Sequence, residues 1–167
     1  MRLALTGTPG TGKTHLAAHL LAHVEVRSVE DLAAAHGALG AREADGAQPV
    51  DVEGLRAFVE AWPTDLLVDG HLSHLLGLDA VVVLRCHPEV VAERLRQRGY
   101  APAKVQANVE WERLGGVVAE LLDAAEQHPL LELDTSSQTV EVLAETVMAW
   151  WLEGCPDRGP ASIDWLG

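Results

Sequence analysis

Near the N-terminus, Gly7 to Thr14 reads GTPGTGKT, a spacing that suits one piece of chemistry. It meets the pattern G-x-x-x-x-G-K-[S/T] at Gly7, Gly12, Lys13 and Thr14. Glycines there let the backbone turn so that successive N–H groups face a phosphate. A helix that follows at once adds its positive end. Lys13 reaches the outer phosphates of a nucleoside triphosphate, and the Thr14 hydroxyl suits Mg²⁺. Such a loop needs an acid near the metal. Asp69 ends the apolar run Leu66-Leu67-Val68, the place of a Walker-B aspartate, and would hold Mg²⁺ directly or through a water. A plain turn at Asp69-Gly70 is the alternative.

Further candidates surround these two. His71 and His74 follow Asp69 in DGHLSHL. A histidine two residues past the metal acid can position a water or a substrate phosphate, although a structural histidine is the commoner role. Arg94, Arg96 and Arg98 cluster before Gly99-Tyr100, with Lys104 behind. Phosphoryl transfer needs cations on the moving phosphate, and the arginine fork binds phosphate through two parallel bonds. Pairing with Glu89 and Glu93 along the helix explains Arg96. Arg98, at the helix end, is the candidate lid arginine, with Arg94 beside it. His15, His19 and His23 have i, i+4 spacing, but a solvated or packed face suits them better than a metal.

The elements that must position these residues alternate. Arg2 to Leu5 reads as a buried strand, Thr14 to His23 as a helix and Val24 to Val29 as a second strand. Ser28 to Asp31 resembles a capping box for a helix to His36. Gly37 to Pro49 lacks periodicity and is expected to be a mobile segment or a plain solvated loop. Val52 to Ala61 is a helix stopped by Pro63. Leu66 to Asp69 and Ala80 to Leu84 are continuous apolar runs, as in strands covered on both faces. Pro88 opens a helix to Arg98, and Lys104 to Gln127 reads as one helix weakened at Gly115 and Gly116. Leu130 to Leu133 is the last strand and Thr139 to Leu152 the last helix. The tail from Gly154 either hangs loose or is docked by Trp165. This order predicts a three-layer α/β/α P-loop domain with a mainly parallel five-stranded sheet. Gly7, Asp69 and Arg85 then converge beyond the carboxyl ends of the strands.

Composition narrows the setting. The net charge is −13 over 167 residues, which opposes an extensive nucleic-acid surface. Only Lys13 and Lys104 are lysine, and excess acid of this kind suits a salt-rich cytoplasm. No apolar run has the length of a membrane span, and Met1 to Thr6 runs into the glycine loop without a signal-peptide pattern. A cytoplasmic location is the expectation. Cys86 and Cys155 form no metal-ligand pattern; a small core residue and an incidental tail residue are the readings.

Together GTPGTGKT, DGHLSHL, VVLRC and RLRQRGYAPAKVQANVEWE closely resemble the adenylate kinase isoenzyme 6 family, archaeal members above all. The resemblance runs to about Trp151. It implies a nucleoside-monophosphate-kinase fold over 1–153, with a monophosphate segment at about 28–51, a lid at about 93–108 and a tail from 154. It implies γ-phosphate transfer from ATP to AMP with Mg²⁺, and ATP hydrolysis. It also implies a link to small ribosomal subunit assembly, with a basic ribosomal protein as partner. By position, Gly7, Gly10, Thr11, Gly12, Lys13, Thr14 and His15 would hold ATP. Thr14 and Asp69 would hold the metal, His71 would serve hydrolysis, Arg94 and Arg98 the lid, and Asp134-Thr135 would lie near adenine. Three positions depart from the family: Ala107-Asn108 replaces a Glu-Asn pair, Ala34 stands near an expected arginine, and His15 replaces a hydroxyl residue. Arg42 is a substitute for the missing arginine from a different place. An ATP-driven assembly factor with little AMP kinase activity, and a P-loop kinase for another small molecule, are the alternatives.

Overall fold

The computed structural model describes residues 1–41, 48–161 and 163–166. The chain begins with β1 (Arg2–Thr6), α1 (Lys13–Leu20), β2 (Glu25–Ser28), α2 (Val29–His36) and α3 (Val52–Glu60). Then come β3 (Leu66–Asp69), a 3-10 turn (Ser73–Leu76), β4 (Ala80–Arg85), α4 (Pro88–Gln97) and α5 (Pro102–Arg113). It closes with α6 (Gly116–Asp123), β5 (Leu130–Asp134) and α7 (Val140–Leu152). The five strands form one parallel sheet in the order β2-β3-β1-β4-β5.

Alternation along the strands sorts the core into two layers. Ala4, Val68, Val81 and Val83 face α2, α3 and α6. Leu3, Leu5, Val82 and Leu84 face α1 and α7. Both faces are therefore covered, and this is why the strands read as unbroken apolar runs. A third, smaller cluster joins α4 to α5 through Val91, Leu95, Val105 and Val109. The register sets Leu5 beside Asp69 and Arg85 beside Asp134, so the candidate residues leave the sheet at one end, the carboxyl end of its parallel strands.

Local chemistry accounts for the boundaries. The Ser28 hydroxyl accepts the Asp31 N–H at 3.0 Å, and Gly37 closes α2 with φ 71°. Three expectations need correction. Helix α1 ends at Leu20, so His23 lies beyond it. Lys104 to Gln127 is two helices: Gly115 has φ 65°, and a Cβ on Gly116 would enter the Trp111 ring. Cys155 is no incidental tail residue but belongs to the second core layer. The tail is docked. Arg158 donates its N–H to the Leu130 carbonyl at 3.1 Å, and the Trp165 ring meets the His87 ring at 5.2 Å. Among the described residues, no helix is long and apolar enough to cross a membrane.

Candidate nucleotide-binding site

The glycine loop takes the shape its sequence demands. Gly7 has φ 139°, and a Cβ there would lie 2.3 Å from the Leu84 carbonyl oxygen. Gly12, at φ 100°, caps α1 and has open space around it. Lys13 Nζ donates to the carbonyls of Gly7 at 2.8 Å and Thr8 at 3.0 Å. Burial lowers its pKa to about 8; Asp69 and Glu112 oppose that shift, and Arg98 adds to it. A phosphate would raise that pKa again, because a nearby anion favours the charged ammonium.

Asp69 ends β3 with only 8% of its surface exposed. Its Oδ1 is buried without a hydrogen-bond partner, while the carboxylate interacts with the Thr14 hydroxyl. Burial pushes its pKa up and Lys13 pulls it down. A buried orphan oxygen beside a hydroxyl is a hard-oxygen donor set that fits Mg²⁺. After Asp69 the backbone packs tightly on α2, for a Cβ on Gly70 would lie 2.6 Å from Val29.

The two histidines separate there. His71 is exposed at the mouth, yet the surrounding protein lowers its pKa, helped by Lys13 and opposed by Glu30. His74 turns inward: Nδ1 lies 2.8 Å from Thr6 Oγ1 and Nε2 lies 3.1 Å from Glu120. It is the structural histidine of the pair.

The arginines expected in a lid differ as well. Arg94 Nη1 donates to the Gly10 carbonyl at 2.8 Å, so it braces the loop. Arg96 lies 3.9 Å from Glu93 on the exposed helix face. Arg98, the C-cap of α4, is exposed and close enough to Lys13 to weaken that lysine's hold on its proton. Lys104 stacks over Tyr100 at 5.6 Å and adds positive potential at His71. Asn108, of the departing Ala107-Asn108 pair, donates to the Lys104 carbonyl at 2.7 Å.

Asp134 accepts the Ser136 N–H at 2.8 Å, and the Thr135 hydroxyl lies 2.9 Å from the Thr11 carbonyl. The loop after β5 is thereby tied to the phosphate loop. His15 is exposed; its carbonyl meets His19 Nδ1 at 3.0 Å, and His19 faces Glu141 at 3.7 Å. Ala34 is exposed on α2, and Arg42 lies outside the described residues. Sequence reasoning missed Glu112, which is 2% exposed and reaches the phosphate loop through Thr8. Its signal was present: Val105, Val109 and Glu112 share one helical face, and an acid on an apolar stripe requires a buried partner.

A parallel sheet of this order, with a phosphate loop after its first strand and cations on a helical pair, defines the P-loop kinase class of α/β folds. The chain is similar in fold to a shikimate kinase from Acinetobacter baumannii (TM-score 0.59, 16% identity, 92% of this chain and 93% of that one). It is likewise similar to a deoxyadenosine kinase from M. mycoides (TM-score 0.58, 13% identity, 92% and 99% covered). A family model described as an AAA domain matches residues 3–115. Proteins named "Putative adenylate kinase" match nearly end to end. The one from Pyrococcus abyssi is 39% identical over 169 residues, covering 99% of this chain and 91% of the relative. The one from Halobacterium salinarum is 37% identical over 167 residues, covering 99% and 98%. The chain belongs to this adenylate-kinase-like family.

Proposed function

We propose that the protein transfers the γ-phosphate of ATP to AMP and also hydrolyses ATP. The observation that carries the reading is the grouping of Lys13, Arg98 and the orphaned Asp69 oxygen around one glycine loop. Gly7, Gly10, Thr11, Gly12 and His15 present backbone to the phosphates, and Lys13 moves from its carbonyl partners onto the outer phosphates. Arg98 meets the charge that spreads over the moving group. Thr14 and Asp69 would hold Mg²⁺, which would neutralise phosphate charge. His71, kept neutral by its lowered pKa, orients a water for hydrolysis or the acceptor phosphate for transfer. Arg94 keeps the loop in shape through Gly10, and Asp134 stands at the base end of the site. The kinship with proteins named adenylate kinases supports AMP as acceptor. With ATP and Mg²⁺ present, ADP formation should rise steeply on adding AMP; a rate indifferent to AMP would remove the transferase reading.

A second reading is favoured by the net charge of −13. Such a surface attracts a basic protein, so an assembly role in the cytoplasm, with a basic small-subunit ribosomal protein as partner, is compatible with the same site. Binding of such a protein that weakens on ATP hydrolysis would support it, and no binding at low salt would refute it.

A further inference from the structure

Among the described residues, the most enclosed charges are Glu112 and Arg85, which adjoin the phosphate loop through Thr8. Glu112, near the end of α5, accepts Arg85 Nε at 2.7 Å and the Cys86 N–H at 3.1 Å through Oε1. Its other oxygen, Oε2, accepts the hydroxyl of Thr8. Arg85 also donates to the Glu112 carbonyl at 2.8 Å and to Glu132 at 2.6 Å. Burial disfavours the Arg85 charge, yet the two glutamates hold its pKa above the ordinary value.

Stability alone does not account for this arrangement. Apolar residues of equal volume commonly replace a buried ion pair without loss. They cannot supply an acceptor to Thr8, and Thr8 is the hub of the loop. Its carbonyl accepts Lys13 Nζ at 3.0 Å, Thr11 N–H at 3.3 Å and the Thr11 hydroxyl at 2.9 Å. The same buried face of α5, through Val105 and Val109, packs against α4, whose C-cap is Arg98.

We propose that Glu112 is a positioning residue of the nucleotide site: held by Arg85, it fixes the Thr8 hydroxyl, and so the phosphate loop, to the helix pair that carries Arg98. The inference rests on Gly7–Thr14 binding nucleotide phosphates and is independent of the acceptor.

The test is Mg·ATP affinity, measured by calorimetry on the full chain. Thr8→Val should weaken binding by about tenfold while the protein still melts cooperatively. Thr8→Ser, which keeps the hydroxyl, should restore most of the affinity. Glu112→Gln should lose a similar amount, and the double variant should bind no worse than the weaker single one. Wild-type affinity in Thr8→Val, or losses that multiply in the double variant, would overturn the proposal. If Glu112→Gln does not fold, the Thr8→Val and Thr8→Ser pair decides alone. A wild-type chain that binds no Mg·ATP would overturn the phosphate-loop reading, and this inference with it.

Discussion

Lys13 and His71 carry the sharpest consequences at the scale of single residues. Lys13 is the ammonium that crosses the loop, so Lys13→Ala should lower both transfer and hydrolysis by about a hundredfold or more. Steady-state rates would read this directly, and retained turnover would contradict the assignment. His71→Ala should slow hydrolysis by roughly a hundredfold and leave ATP affinity within a few-fold, as titration and single-turnover rates would show. In the wild type, hydrolysis should depend on neutral His71. Because burial lowers its pKa, the acid limb of the rate profile should fall below the ordinary histidine value of 6.5. A limb above that value would count against this role. The phosphate loop was legible because its parts lie close in sequence: Lys13 finds its carbonyl partners only six and five residues away. For Glu112 the apolar helix face signalled burial but not the partners, since Arg85 lies 27 residues away and Thr8 lies 104 residues away. No local pattern joins such distant groups.

At the scale of elements, His74 links the end of β1 to α6 through Thr6 and Glu120. Burial lowers its pKa, with Glu120 opposing. Between its folded value and the ordinary 6.5 the unfolded chain binds the extra proton, so stability rises with pH across that window. The contribution is complete above 6.5 and is lost as pH falls toward the folded value. Denaturant midpoints measured from acid to neutral pH should climb through this window, and His74→Gln should climb less; equal slopes would refute the link. The strands were readable because each is buried on both faces. The break within 102–123 was harder to read, since a glycine inside a helix costs only about 1 kcal/mol. Here the left-handed turn at Gly115 and the Trp111 ring against Gly116 decide it, and neither shows in local propensity.

At the scale of the whole molecule, 25 acidic residues against 12 basic ones leave a strongly self-repelling surface. Salt screens that repulsion. Raising ionic strength from about 0.05 M to about 1 M should therefore raise the melting temperature by roughly a few degrees, and a fall would contradict the charge argument. Three of the few positive groups gather where the phosphates would lie: Lys13, Arg98 and Lys104 act electrostatically on one another or on His71. The five parallel strands and the layer count followed from the alternation of apolar runs with helical patterns; the order β2-β3-β1-β4-β5 came only from the structure. The docking of the tail was only one of two readings, because Cys155 joins a core layer and Trp165 meets His87 through contacts distant in the chain.

The most direct test of the central claim follows the γ-phosphate itself. ATP labelled at the γ-phosphate is mixed with Mg²⁺, AMP and the protein, and the label is traced. Transfer predicts labelled ADP that appears only with AMP, beside a slower release of labelled inorganic phosphate. Label found in inorganic phosphate alone, at a rate untouched by AMP, would contradict the account.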